Sequence, residues 1–212
     1  MLFPYARARV HDYLEHHADD PGVRADVALL RAEHAVESSR TPDLPPWSPE
    51  AYVYWLMDRD RKSTGLKALQ GRIWEAGYRA GALKGKGEVY PDVRPALVRW
   101  RDAGKKIAIF SSGSVQAQRN LFENTIAGDL SQFLSGYFDT TTGPKREAPS
   151  YRHIATALDQ KTHEMLFVSD VPAELDAARA AGMRTALCVR GPARPDGSAT
   201  DHPRIHSFAE LA

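Results

Sequence analysis

Three short segments carry side chains whose type and spacing suit phosphate chemistry. The first follows the apolar run Ile107-Ala108-Ile109-Phe110 and reads Ser111-Ser112-Gly113-Ser114 before a helical pattern begins. Hydroxyls and backbone N–H groups at a helix start suit a phosphate. The same residues also make an ordinary turn with an N-cap, and spacing alone does not separate the two uses. The second follows Met165-Leu166-Phe167-Val168 and reads Ser169-Asp170, with Glu174 and Asp176 about one turn on. A carboxylate at a strand's end with further acid nearby suits Mg²⁺ held by oxygen ligands. Glu174 and Asp176 equally complement a helix N-terminus. Asp170 is the stronger functional candidate, because it directly ends an apolar strand. The third is Lys145, which follows Gly143-Pro144. That pair fixes a turn and aims the ammonium, a point charge suited to phosphate, although a solvated surface role is the commoner one for an isolated lysine.

These segments need a scaffold that presents strand ends. From about residue 89 to 190 the chain alternates short apolar runs with helical stretches. Helices are expected over 91–103, 115–124, 150–158 and 173–181. Strands are expected at 107–110, at Tyr137-Phe138 before Asp139, at 165–168 and at 185–189. Continuous apolar runs separated by helices indicate α/β architecture, a parallel sheet covered on both faces. In such sheets ligands bind beyond the carboxyl ends of the strands, where the three segments lie. Residues 1–88 show helical periodicity and no convincing strand: Val27, Leu30, Ala35 and Val36, then Tyr52, Leu56, Leu66, Leu69, Ile73 and Trp74. Pro42, Pro45 and Pro46 mark a loop between them, and Ser48-Pro49-Glu50 restarts a helix. The sequence thus divides into a helical cap over 1–88, a core over 89–190 and a C-terminal tail over 191–212, read as a loop ending in a short helix.

Composition excludes several classes. Hydrophobic residues are 42% of 212, and 28 Lys+Arg stand against 27 Asp+Glu, a net charge of +1. That is a globular composition with no basic surplus for nucleic acid or an acidic membrane surface. Apolar runs fall far short of the ~20 residues that span a bilayer, and the N-terminus shows no signal pattern. The one cysteine, Cys188, rules out an internal disulfide or a cysteine zinc site and reads as a buried thiol in a strand. A cytoplasmic globular protein is expected, and composition names no function. Asp58-Arg59-Asp60 follows no apolar strand and reads as a solvated face. The pairs His16-His17 and His202/His206 are too isolated for a metal site.

Taken together, the strand ending in Ser111, the Lys145 before a helix and the strand ending in Asp170 resemble the haloacid-dehalogenase-like phosphohydrolases. The finer resemblance is to the enolase-phosphatase (acireductone synthase) family of methionine salvage. It rests on Leu2-Phe3-Pro4-Tyr5-Ala6, Asp60-Arg61-Lys62-Ser63-Thr64, Leu66-Lys67-Ala68-Leu69-Gln70-Gly71 and Val89-Tyr90-Pro91-Asp92-Val93. It continues through Ser111 to Gln118, Gly136-Tyr137-Phe138-Asp139-Thr140 and Ser169-Asp170-Val171. The resemblance implies a Rossmann-like core with a helical cap and a monomeric, Mg²⁺-dependent phosphoric monoester hydrolase. The implied reaction converts 2,3-diketo-5-methylthiopentyl-1-phosphate to 1,2-dihydroxy-3-keto-5-methylthiopentene by enolisation and phosphate hydrolysis. Ser111 and Ser112 would bind the substrate phosphate, and Lys145 would neutralise it and help fix the nucleophile. Asp170 would ligate Mg²⁺, with Glu174 as an outer partner of that ion.

The family's first motif, an apolar strand followed by Asp-x-Glu-Gly-Thr, lies shortly before the Leu-Phe-Pro-Tyr-Ala segment. Here that segment follows Met1 directly. The resemblance therefore implies that the nucleophile Asp, the acid/base Glu and the first, central strand of the sheet are missing. The chain as given is expected to be N-terminally truncated and inactive, with the Ile107 and Met165 strands deprived of a shared neighbour. A GTG start codon read as Met1 would account for this. The alternative is a non-catalytic relative that binds a phosphorylated metabolite.

Overall fold

A computed structural model describes residues 2–191 and 201–211. Met1, Ala212 and much of the expected tail (192–200) lie outside the described residues. The chain divides into two compact units, Met1–Glu88 and Val89–Ala212.

The first unit is helical: α1 (Leu2–Arg7), α2 (Val10–His16), α3 (Pro21–Glu37), α4 (Pro49–Asp58) and α5 (Thr64–Arg79). Helix starts follow local chemistry. Asp20 accepts from the Gly22 and Val23 amides ahead of α3, with Pro21 in the first turn. Ser48 and Ser63 cap α4 and α5 in the same way. Glu33 reaches from α3 to the Ser63 hydroxyl and to the Thr64 (2.9 Å) and Gly65 (3.2 Å) amides, so one carboxylate satisfies several donors at the α5 start. Gly65 is required there, because a Cβ would stand 2.7 Å from the Leu30 side chain. Leu30, Val53, Leu69 and Ile73 form the centre of one continuous core with Trp55 and Leu56. Asp58, as expected, is solvent-facing and pairs with Arg7.

The second unit alternates strands and helices, and its strands are parallel. Its elements are α6 (Val93–Asp102), β1 (Ala108–Phe110), α7 (Val115–Glu123), β2 (Gly136–Phe138), α8 (Ala148–Ala157), β3 (Leu166–Ser169), α9 (Pro172–Ala180), β4 (Arg184–Cys188) and β5 (Arg204–Ile205). Among the described residues the strands form two sheets, β1-β2 and β3-β4-β5. Ala108 stands opposite Gly136 and Phe110 opposite Phe138; Leu166 stands opposite Arg184 and Ser169 opposite Leu187. β1 and β3 do not pair with each other, and each is hydrogen-bonded on one side only. Their residues are mostly half-buried, and Leu166 is 43% exposed.

The expectation of a loop ending in a short helix is corrected for the strand and holds for the helical end. Arg204–Ile205 pairs in parallel with β4, and Phe208–Glu210 forms a 3₁₀ turn with a Ser207/Glu210 capping box. Asp92 anchors this segment. It takes Arg190 through both oxygens (3.0 and 2.8 Å), the Ser207 hydroxyl (2.9 Å) and the Phe208 amide (2.6 Å). Cys188 is buried. His202 is buried between Thr185 and Asp176.

Candidate active site

Each candidate segment stands at a strand's carboxyl end, where the chain turns into a helix. β1 gives way to Ser111, whose amide donates to the Phe138 carbonyl at 3.0 Å. Its Oγ accepts from the Gly113 amide at 3.1 Å. A hydroxyl used as an acceptor in this way keeps its proton for an outside acceptor such as a phosphate oxygen. Ser112 follows directly in the same turn.

The helix start itself is not the anion site that the spacing suggested. Asp139, at the end of β2, accepts the Val115 amide at 3.0 Å, the first N–H of α7. Ser114 Oγ takes the Ala117 amide at 3.2 Å, and the Ser114 carbonyl takes the Gln118 amide at 3.0 Å. A carboxylate of the protein thus stands where the helix dipole would favour an anion.

Lys145 is aimed by its surroundings. Gly143 has φ +141°, and a Cβ there would lie 2.3 Å from Ser150 Oγ. Ser150 donates to the Pro144 carbonyl (2.7 Å), and the Tyr151 hydroxyl donates to the Lys145 carbonyl (2.6 Å). The loop backbone is therefore pinned from α8 on both sides of the lysine. Burial, then the charge of Glu174, pushes the Tyr151 phenol far above its ordinary range, so it stays protonated and donates. The Tyr151 ring packs edge-on against Phe110 of β1 (5.6 Å) and Phe167 of β3 (4.9 Å). One side chain spans the two sheets and sets the lysine's level.

The Lys145 ammonium lies 2.6 Å from Glu174 Oε2 and 5.6 Å from the Phe110 ring centre. Glu174 also accepts from Ser169 Oγ at 3.0 Å, and Ser169 Oγ accepts the Val171 amide at 3.1 Å. Lysine, glutamate and serine form one half-buried cluster, with side chains of Lys145 and Glu174 only 20% and 11% exposed. The family resemblance implied Glu174 as an outer partner of a metal bound at Asp170; its carboxylate here holds Lys145 and Ser169. Sequence reasoning also passed over Ser169, Tyr151 and Gln118 as site residues. Ser169 could have been found as the polar terminus of a strand; Tyr151 and Gln118 carry no local signal.

Asp170 is exposed at the end of β3, and no hydrogen bond or ion pair to its carboxylate is seen among the described residues. It offers one oxygen donor group. Mg²⁺ takes about six oxygens, usually with one or two carboxylates supplemented by water and substrate. Among the described residues no group of three or more His, Cys, Asp or Glu is placed to hold a metal ion. The described residues therefore do not make a Mg²⁺ site by themselves. No described helix is long and apolar enough to cross a membrane.

Comparison with known proteins follows the same lines. A family model described as "haloacid dehalogenase-like hydrolase" matches residues 10–182. A Synechococcus elongatus protein named Enolase-phosphatase E1 is 54% identical over all of this chain and 89% of its own length. A Pseudomonas aeruginosa protein of the same name is 47% identical, again over all of this chain and 89% of its own. Among solved structures, the UTR4 protein of Saccharomyces cerevisiae superposes with a TM-score of 0.71 at 31% identity, covering 100% of this chain and 91% of that one. A dehalogenase at 21% identity and TM-score 0.56 shares the fold. The chain belongs to the haloacid dehalogenase-like hydrolases and, within them, to the enolase-phosphatase family.

Proposed function

We propose that the cluster at the ends of β1 and β3 receives the phosphate of a small phosphorylated diketone, 2,3-diketo-5-methylthiopentyl-1-phosphate, for enolisation and phosphate release. The observation that carries this reading is the Lys145–Glu174–Ser169 cluster packed against Phe110, next to the Ser111-Ser112 turn. The relatives' shared name, Enolase-phosphatase E1, supports this reading, as does the resemblance to a family of methionine salvage.

The chain's own residues have distinct tasks. The Ser111 and Ser112 hydroxyls donate to phosphate oxygens. Lys145 has three N–H donors, of which Glu174 takes one, so the ammonium can hold a phosphate oxygen without leaving its partner. Glu174 keeps Lys145 charged and in place. Asp170 would be one ligand of Mg²⁺, which when bound supplies charge neutralisation at the phosphate. Nucleophilic attack needs an aimed carboxylate. Of the described carboxylates here, Asp139 holds α7 and Glu174 holds Lys145. The attacking group is on this reading not among them.

The test is phosphate release from the diketone ester with Mg²⁺ present. Residues 1–212 are assayed beside a version that carries the in-frame codons upstream of Met1. Release by the extended version, abolished by Lys145→Ala and weakened by Ser111→Ala and Asp170→Asn without loss of fold, is the expected result. Release by residues 1–212 alone would show that the described carboxylates suffice. A folded protein that binds the ester and releases nothing in either form would favour a metabolite-binding role.

A further inference from the structure

We propose that Gln118 is a positioning residue that sets the conformation of the Ser111–Ser114 turn, and through it the phosphate affinity of the site. This rests on the reading of that turn as the phosphate-binding element. Gln118 lies on α7, one turn after Ser114, and is 5% exposed. Its Nε2 donates to the Gly113 carbonyl and to the Phe138 carbonyl, both at 2.8 Å. Phe138 is the last residue of β2, and its carbonyl also receives the Ser111 amide at 3.0 Å. The turn is therefore tied to β2 at both ends, through its first amide directly and through the Gly113 carbonyl by way of Gln118. Ser112 sits between the two ties.

The orientation of the amide follows from its partners. Turned over, Oε1 would face two carbonyl oxygens, and neither would receive a donor from residue 118. In the orientation present, Oε1 is buried with no hydrogen-bond partner. An apolar side chain of this size would leave no orphan acceptor, but it would take the side-chain donor from the Gly113 carbonyl and leave the Phe138 carbonyl with the Ser111 amide alone. The interior tolerates one unpaired oxygen in return for two satisfied ones that fix the turn. Asp139 completes the brace by holding the Val115 amide and, through its other oxygen, the Thr141 amide and hydroxyl at 2.9 and 2.6 Å. The helix start and the turn before it are thus referenced to the end of β2.

The test compares Gln118→Leu, which removes both donors, with Gln118→Lys, whose ammonium can still donate to two carbonyls. Two readouts are used on the full chain: hydrogen exchange at the Gly113 amide and inorganic-phosphate affinity by titration calorimetry. Gln118→Leu is expected to speed Gly113 exchange at least tenfold while amides in the middle of α3 and α5 are unchanged, and to weaken phosphate about tenfold. Gln118→Lys is expected to restore both to within about threefold. Unchanged Gly113 exchange in folded Gln118→Leu overturns the proposal, as does failure of folded Gln118→Lys to restore it. If Gln118→Leu does not fold, Gln118→Glu replaces it, placing a carboxylate against the two carbonyls; normal Gly113 protection there overturns the proposal equally. Wild-type protein that binds no phosphate, with Gly113 exchange still governed by residue 118, would overturn the phosphate reading of the turn and the affinity consequence while leaving the brace standing.

Discussion

The helical unit and the sheet unit solve the burial problem differently. In the first, Ala6, Val10, Leu30, Val53 and Leu69 are fully buried in one cluster that joins five helices. In the second, apolar contacts fall into smaller groups: one around Tyr151 and Met183, one around Leu97 and Phe133, one around Ala186 and Ile205. The strands β1 and β3 of that unit remain half-exposed, each paired on one side. What links those two strands is side-chain chemistry: the Tyr151 ring between Phe110 and Phe167, and Lys145 between Phe110 and the Glu174–Ser169 pair. Stability in the helical unit is therefore a packing property. In the sheet unit, polar and ring contacts between β1 and β3 contribute beside packing.

The sharpest way to break that comparison is at Lys145. Lys145→Met is expected to lower phosphate release about a thousandfold, close to 4 kcal/mol of barrier. It should also destabilise the sheet unit, because Glu174 is left buried with only Ser169 as partner. The double change Lys145→Met/Glu174→Gln separates the two effects. Thermal unfolding should recover toward wild type while phosphate release stays lost. Recovery of both would mean that the lysine is only a structural strut.

Leu69→Ala probes the other side. Leu69 is fully buried on α5 within the helical core. Truncation is expected to lower unfolding free energy by about 3 kcal/mol, as large-to-small changes in a closed core do. Phosphate affinity should change little where the protein stays folded. A loss of stability under 1 kcal/mol in urea titration would contradict the description of a continuous core.

Much of this was legible from sequence because the signals were local. An apolar run that stops at a polar residue announces a strand end, which placed Ser111, Ser169 and Asp170. A Gly-Pro pair before Lys145 announced an aimed turn, and the helical unit was visible in the spacing of Leu56, Leu66, Leu69 and Ile73. What was not legible depends on partners distant in the chain. Glu174 meets Lys145 across 29 positions, and Asp139 reaches Val115 across 24. Nothing near Glu174 says whether it will face a metal or an ammonium. The two-residue strand Arg204–Ile205 has no period to read and exists because β4 offers it an edge. The split of the sheet was expected only through the family resemblance; composition and periodicity are silent on it.

A smaller test asks how much a polar link contributes in the helical unit. Arg72 Nε donates to Asp26 at 2.6 Å; the arginine side chain is 39% exposed and the aspartate side chain 6%. Arg72→Met should cost about 2 kcal/mol, less than a fully buried pair because water reaches the arginine side. Asp26→Leu together with Arg72→Met should recover most of it. If the single change costs more than Leu69→Ala, the helical unit is not held mainly by packing.

The smallest effect is a pH dependence that belongs to the sheet unit alone. Arg190 beside Asp92, helped by the Phe208 amide and the Ser207 hydroxyl, holds the Asp92 carboxyl at about 2, below its ordinary 3.8. The folded form binds this proton less readily than the unfolded form. Its contribution is therefore fully present above about pH 4 and is lost as the pH falls through the folded value near 2. The size is on the order of 1–2 kcal/mol, since both side chains remain slightly accessible. Glu210 is also held below its ordinary range by the His206 and Ser207 amides, so wild-type protein alone does not isolate Asp92. The difference between wild type and Asp92→Asn does. That difference, read as urea midpoints, should be constant from pH 7 to about pH 5 and shrink steadily toward pH 3. It should be confined to probes in the β4–β5 region, because Asp92 ties Arg190 and the Ser207-Phe208 turn and nothing in the helical unit. A difference that stays flat down to pH 3 would mean that Asp92 acts there as a neutral hydrogen-bonding group, and the C-terminal clasp would then owe its hold to Arg190 stacking on Tyr90 and Phe208.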